Sequence, residues 1–369
     1  MKALIYNGIG KYKVVDKPDP KVQAGTDALV RMVRTTICGS DLHILKGDVP
    51  TVTDGRTLGH EGIGVIEEAG ADVKNFKKGD RVVIRCITCC ATCSHSHELT
   101  LTSMADACRN DGGWILGHTS DGTQAERVLI KHADASLFMV PPGADERTLL
   151  VFSDILPTGL EVGVLRGKVT PGSSVAIVGA GPVGLAAGIT AQLYSPRELV
   201  FFDLDDHRLS VAKKIGATHV YNTTDCKDIR ALAKDHIGEA DGFDVVIEAV
   251  GIPATFNFCE DLVGVGGNIA NVGVHAKPVK LNIDKLWPRS ISQYPHRRHR
   301  MSHDGPPTSP WLWCQLVLFL DSLTSMAAGK LDASDMVSHD FKFSQIEEAY
   351  DFFGRAAETK SLKVNIEYE

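Results

Sequence analysis

Hydrophobic positions in the first 156 residues come in short runs broken by turn residues. Ala28-Leu29-Val30-Arg31-Met32-Val33-Arg34 runs apolar or alternates, as does Gly64-Val65-Ile66-Glu67-Glu68, and Arg81-Val82-Val83-Ile84 follows a Lys-Lys-Gly-Asp turn at Lys77–Asp80. Such runs predict strands, and strands at this spacing predict a barrel-like β domain over 1–156. The rhythm changes near residue 157. Ser174-Val175-Ala176-Ile177-Val178, preceded by Pro171-Gly172, reads as a buried parallel strand. A helical stretch from Val183 to about Leu193 follows, then a strand Leu199–Asp203 and a helix Arg208–Ile215. Asp244–Val250 and Gly267–Val272 read as further strands. Strand and helix alternating at these lengths predict a doubly wound parallel α/β sheet over 157–288.

Residues 289–369 are expected to return to the first domain. The stretch 288–310 breaks the pattern: prolines at 288, 295, 306, 307 and 310 sit among Arg297, Arg298, Arg300 and three histidines, which predicts an irregular surface loop, the first part of an irregular segment 288–325 that ends in the apolar stretch Trp311–Leu323. The tail from Phe341 to Ile366 reads as helix then strand, with Gln345–Tyr350 amphipathic.

Charge and length narrow the classes. With 39 Lys plus Arg against 46 Asp plus Glu in 369 residues, the net charge is −7, which argues against a nucleic-acid or anionic-membrane partner. The best apolar run, Trp311–Leu320, has ten residues, short of the ~18 that a membrane span needs. Met1–Tyr6 is strand-like and lacks the long apolar core of a signal peptide, so a cytoplasmic location is expected. Nine cysteines in that setting read as thiols or metal ligands, and five of them fall between Cys86 and Cys108.

Gly179-Ala180-Gly181-Pro182-Val183-Gly184 directly follows a predicted strand and opens a predicted helix, and Asp203 ends the next strand nineteen residues past Gly184. In that context the first glycine makes the tight turn, the second lets a pyrophosphate approach the backbone, and the third packs helix on strand. The helix N-terminus at Pro182 and Val183 faces the phosphates with the positive end of its dipole and with N–H donors from Val183 onward, since Pro182 has none. Asp203 is placed to accept from the adenosine ribose, which favours NAD over NADP, and Arg208 could reach the same ribose or a phosphate.

Two further motifs lie in the first domain: Ile37-Cys38-Gly39-Ser40-Asp41-Leu42-His43 and Gly59-His60-Glu61-Gly62, with Cys38 and His60 22 positions apart. Together with the fingerprint at Gly179 they resemble the zinc-dependent medium-chain alcohol dehydrogenase family, in particular its bacterial-type secondary and general alcohol dehydrogenases. The resemblance runs over nearly the whole chain and weakens at about 94–110 and 288–325. It implies a β-rich GroES-like catalytic domain joined to a Rossmann domain. It also implies a catalytic zinc held by Cys38, His60 and Asp154, the last in Ser153-Asp154-Ile155-Leu156-Pro157, with Glu61 as fourth or exchanging ligand. One thiolate, one imidazole and one carboxylate leave an open tetrahedral position. Ser40 and His43 match the family's proton-relay positions. The implied activity is hydride transfer between NAD and a small primary or secondary alcohol, with the aldehyde or ketone as product, in a homodimer or homotetramer. A polyol or diol dehydrogenase, or a catalytically impaired NAD-binding relative, is the alternative.

Family members often carry a structural zinc lobe of spacing C-x2-C-x2-C-x7-C. Cys90 and Cys93 fit its first two positions; the third falls on Ser96 and the fourth on Met104, with Cys108 four residues late. A second zinc on Cys90, Cys93 and Cys108 would therefore need a substitute such as Cys86, Cys89, His95 or His97.

Overall fold

The structure is a computed structural model that describes residues 1–90, 92–93, 108, 111–237, 241–295 and 331–369. Its strands in chain order are β1 Lys2–Tyr6, β2 Tyr12–Asp16, β3 Ala28–Thr35, β4 Gly62–Ala69, β5 Arg81–Ile84, β6 Arg127–Ile130, β7 Leu137–Met139, β8 Ser174–Val178, β9 Glu198–Asp203, β10 His219–Asn222, β11 Phe243–Glu248, β12 Val263–Asn271, β13 Ser292–Pro295, β14 Val337–Lys342 and β15 Lys363–Glu367. The helices used below are α1 Gly39–Lys46, α2 Pro182–Ala191, α3 Asp206–Lys214, α4 Pro253–Leu262 and α5 Ile346–Gly354. The chain divides into two compact units, with the break between Asp154 and Ile155 and with Met336–Glu369 returning to the first.

In the first unit the strands run in the order β14-β15-β3-β4-β5-β7, with β6 also on β3 and a separate β1–β2 hairpin. Pairing is antiparallel except between β14 and β15. Alternation explains the placement: β3 buries Ala28, Val30 and Met32, and these meet Ile66, Val82, Ile84, Val128 and Ile130 in one core. A second core joins Leu4, Ile37, Ile44 and Leu58 to Ile346, Tyr350, Val364 and Ile366, so the tail is built into the unit that begins the chain. The amphipathic pattern at 345–350 becomes α5, which turns Ile346, Ala349, Tyr350 and Phe353 inward.

In the second unit six parallel strands run β10-β9-β8-β11-β12-β13, an order of 3-2-1-4-5-6 within the unit. That is the doubly wound dinucleotide-binding topology, with its ligand crevice outside the carboxyl ends of the strands at the switch between β8 and β11. All five residues of β8 are buried, as an apolar run in a sheet covered on both faces requires. The sheet continues past residue 288. Ser292–Pro295, expected to be loop, pairs in parallel with β12, and its proline stands at the last position of an edge strand, where a missing N–H costs little. Residues 296–310 of that expected loop, and the rest of the irregular segment to 325, lie outside the described residues. No single helix among the described residues is long and apolar enough to cross a membrane.

Candidate metal centre and cofactor loop

Cys38 is the N-cap of α1 in extended backbone (φ −108°, ψ 160°), and Asp41 closes a capping box by accepting from the Cys38 N–H at 2.8 Å. The order Cys-Gly-Ser-Asp thus starts the helix and fixes the cysteine at its mouth. His60 and Glu61 follow Gly59, whose φ is +89° and where a Cβ would come within 2.6 Å of Gln124 Cγ, so glycine alone fits the turn. Asp154 closes the 3-10 turn Leu150–Ser153. These elements, remote in sequence, bring Cys38, His60, Glu61 and Asp154 together with all four ligand atoms within 4.8 Å of one another.

The spacing suits a small tetrahedral ion. Cys38 Sγ lies 3.7 Å from Asp154 Oδ2, His60 Nε2 lies 3.5 Å from Asp154 Oδ2, and Glu61 Oε1 is 3.7 Å from His60 Nε2. Zinc bonds of about 2.0–2.3 Å at tetrahedral angles separate their donors by roughly 3.4–3.7 Å. Buried Glu61 Oε2 has no hydrogen-bond partner. An unsatisfied carboxylate oxygen beside a soft sulfur and an imidazole is a donor set that fits zinc.

Ser40 Oγ lies 3.9 Å from Cys38 Sγ, at the rim of this set. His43, one turn along α1 and about a quarter exposed, meets Asp48 Oδ2 through Nδ1 at 2.8 Å. Two contributors went unassigned in the sequence reading. Asp41 is 99% buried, and its Oδ1 faces His60 Nδ1 at 3.8 Å, leaving Nε2 toward the other ligands. Lys363 on β15, 302 residues from Glu61, reaches Glu61 Oε1 at 2.5 Å and the Ile37 carbonyl at 3.4 Å with both side chains almost wholly buried. A lysine inside the apolar run Leu362-Lys363-Val364-Asn365-Ile366 was the available signal, because a buried charge must be paired. Trp114 packs edge-on against the His60 ring, centroids 5.8 Å apart.

Electrostatics follow from burial and crowding. Burial alone would lower the His60 pKa, but hydrogen bonds to Asp154 and Cys38 outweigh it and leave it well above the ordinary value. Burial would raise Asp154, yet His60 and Lys363 hold its carboxyl far below the usual range. Glu61 is held above its ordinary value by burial, with Lys363 pulling the other way. Lys363 loses by burial and gains more from the charges of Cys38, Glu61 and Asp154, so its ammonium titrates above its ordinary value.

The second cysteine group also converges. The sulfurs of Cys90, Cys93 and Cys108 lie within 4.8 Å of one another, Cys90 N–H donates to Cys108 Sγ at 3.3 Å, and Cys93 N–H donates to Cys90 Sγ at 3.4 Å. Of the substitutes considered for a fourth ligand, Cys86 and Cys89 are not part of that group, and His95 and His97 lie outside the described residues.

In the second unit Gly179 (φ +106°) makes the turn after β8, and its N–H donates to the Phe202 carbonyl at 2.8 Å. Gly181 caps α2 with Pro182 at its first position and Val183 in its first turn. A Cβ on Gly181 would meet only Arg208 Nη1, 3.9 Å away, which is open space for a phosphate, whereas one on Gly184 would fall 1.9 Å from the Gly179 carbonyl oxygen. Asp203 accepts the Ala180 N–H at 2.6 Å and the Asp205 N–H at 2.9 Å, so it braces the loop it was expected to serve. Arg208 Nε is buried and without a partner beside that space. An open cradle with an unsatisfied guanidinium nitrogen fits a dinucleotide.

A zinc-type donor set in one unit and a dinucleotide loop in the other define a metal- and nicotinamide-dependent dehydrogenase. Residues 24–142 match the family described as alcohol dehydrogenase GroES-like domain, and 182–312 match zinc-binding dehydrogenase. An alcohol dehydrogenase of Cupriavidus necator is 32% identical over 366 residues, 96% of this chain and 95% of that protein. Zinc dependent alcohol dehydrogenase 2 of Streptococcus pneumonia, solved in its apo form, is 44% identical with a TM-score of 0.89, covering 100% of this chain and 99% of that one. The alcohol dehydrogenase of Thermus sp. ATN1 is 28% identical with a TM-score of 0.83 over 100% of both chains. The chain belongs to the zinc-dependent medium-chain alcohol dehydrogenase family, and is an oxidoreductase built from a GroES-like and a Rossmann domain.

Proposed function

We propose that this protein transfers a hydride between a small primary or secondary alcohol and NAD, with Cys38, His60 and Asp154 as ligands of one catalytic zinc. The carrying observation is the convergence of those three side chains and Glu61 from four separate stretches of sequence. When bound, zinc lowers the pKa of a substrate hydroxyl and NAD accepts the hydride. The chain's own residues do the rest. Cys38 and Asp154 bring two negative charges to a dication, while Lys363 neutralises Glu61, so the buried set closes near zero net charge. Glu61, beside His60, is the exchangeable donor. Ser40 takes the hydroxyl proton at the rim, and His43, more exposed and backed by Asp48, passes it to solvent.

NAD is preferred over NADP, because the Asp203 carboxylate would repel a 2′-phosphate. Gly179, Gly181, Pro182, Val183 and Gly184 seat the pyrophosphate, and Arg208 contacts the adenosine side. Cys90, Cys93 and Cys108 are the three sulfurs that would hold a second, structural zinc once a fourth ligand completes the site. The same reading includes a cytoplasmic homodimer or homotetramer, whose mass light scattering gives directly.

The test is zinc per chain by elemental analysis on wild type and Cys38→Ala, with ethanol- and 2-propanol-dependent NADH formation on the same samples. Loss of about one zinc equivalent and of turnover in the variant is expected. A folded wild type without zinc and without NADH formation refutes the reading.

A further inference from the structure

Behind the metal ligands a line of buried polar side chains leads back to the C-terminal helix. Tyr350 Oη on α5 donates to Gln124 Oε1 at 2.7 Å, and Gln124 Nε2 donates to the Thr36 carbonyl at 3.1 Å and to Asp41 Oδ2 at 3.4 Å. Asp41 holds Cys38 through Oδ2, which accepts the Cys38 N–H at 2.8 Å, while its Oδ1 faces His60 Nδ1 across 3.8 Å, beyond hydrogen-bond reach, with neither of those two atoms otherwise partnered. Tyr350, Gln124, Asp41 and His60 are each at least 97% buried. The Gln124 backbone is clamped as well, its N–H on the Leu58 carbonyl and its carbonyl on the Leu4 N–H, both at 2.9 Å, and its Cγ fills the space left by Gly59 next to His60.

The direction of donation is uniform. The tyrosine hydroxyl spends its single proton on the glutamine oxygen, which orients the amide so that its N–H groups face Thr36 and Asp41. Reversing the amide would set two acceptors against each other at Asp41 and leave the hydroxyl without an acceptor, which low dielectric makes costly. A carboxylate pinned in this way fixes the Cys38 backbone at the mouth of α1 and lies beside the His60 ring, where outer partners of a metal site act.

We infer that Tyr350 and Gln124 are positioning residues for the catalytic zinc, acting through Asp41 on Cys38. The inference rests on the ligand set proposed above. Its geometry couples the C-terminal helix to the metal through hydrogen bonds that the fold does not otherwise need: a phenylalanine at 350 would retain the packing of Tyr350 with Ile346, Ala349 and the neighbouring Tyr12 ring, 4.9 Å away.

The experiment uses zinc-loaded full-length protein and follows zinc transfer to excess chelator. The phase missing in Cys38→Ala marks the site, and if wild type shows no such phase, the ligand reading itself fails. Tyr350→Phe and Gln124→Met are compared with Tyr12→Phe, which removes a nearby hydroxyl bonded to Asp351 instead. Outer partners of metal ligands typically alter affinity about 10- to 100-fold, so groups one bond further out are expected to speed zinc release about three- to ten-fold. Cobalt-substituted Tyr350→Phe should also show shifted d–d bands, a readout of ligand geometry that loosened packing elsewhere does not move, while Tyr12→Phe behaves as wild type. Wild-type release and an unshifted cobalt spectrum in folded Tyr350→Phe overturn the inference, whatever becomes of Gln124→Met. Equal changes in Tyr12→Phe overturn it too, since they would trace to packing.

Discussion

Replacing Lys363 with methionine keeps the length and apolar stem of the side chain and removes its charge, leaving Glu61 buried against His60 with its strongest partner gone. Breaking a buried ion pair from one side costs about 3–5 kcal/mol, because the remaining charge has neither water nor a counter-ion. For a unit of this size a urea slope of roughly 2–3 kcal/mol/M applies, so the first unit of the metal-free protein should lose about 1–2 M in its unfolding midpoint at pH 7.5. The loss has a sign in pH. Burial raises the Glu61 pKa in the folded state, and without Lys363 it rises further. A group whose folded pKa is raised favours folding while protonated, so the deficit should shrink toward pH 5 and grow through neutrality, by at most about 1.4 kcal/mol per pH unit for one proton. The assay is urea unfolding of metal-free wild type, Lys363→Met and Lys363→Met/Glu61→Gln at pH 5.5 and 7.5. The double variant should recover most of the midpoint, since an uncharged pair of similar volume can be nearly neutral. A midpoint within 0.3 M of wild type for Lys363→Met at pH 7.5, or a double variant no better than the single, would refute the pairing argument (the 0.3 M bound is about a quarter of the smallest expected shift).

Zinc affinity should fall with acidity, by up to about ten-fold per pH unit while one proton competes, because metal-free His60 titrates well above its ordinary value and must give up a proton to bind; calorimetry in buffers of different ionisation enthalpy counts the proton released. Gly181→Ala should fold as wild type and yet weaken NADH binding about ten-fold or more, because its Cβ enters only the phosphate space; Gly184→Ala should lower stability as well, because its Cβ falls 1.9 Å from a carbonyl oxygen, and thermal melts beside fluorescence titration separate the two. Asp203→Ala should raise the ratio of kcat/KM with NADP to that with NAD about ten-fold, and its loop should be less stable because two backbone N–H donors lose their acceptor.

The parts of this molecule that could be seen in its sequence are those whose cause is local. The run Ser174–Val178 is a strand because four consecutive apolar residues, Val175–Val178, soon after Pro-Gly have nothing else to become, and Arg81–Val82–Val83–Ile84 is bounded by its own turn. The glycine spacing at 179–184 carries its reason in each missing Cβ. Ser292–Pro295 is a strand for a different reason: an open edge of β12 offers backbone donors and acceptors to whatever segment passes, and pairing of that kind leaves little imprint on side chains. The same division runs through the metal centre. Cys38, Ser40 and His43 are set out by one helix start, and so is Asp41, whose place in the capping box shows only once that helix start is known. Lys363, Gln124 and Tyr350 belong to the site only because antiparallel pairing of β15 with β3 and the packing of α5 return the chain's end to its beginning. What betrays such residues beforehand is cost, not pattern. A lysine, a glutamine and a tyrosine hydroxyl placed where apolar neighbours bury them must each find a partner, and here the partners trace back to Glu61 and Asp41, the two carboxylates that flank the ligands. Of the three, Lys363 alone stands in an apolar run, so a search for polar residues stranded among apolar ones finds it and leaves Gln124 and Tyr350 to the tertiary fold.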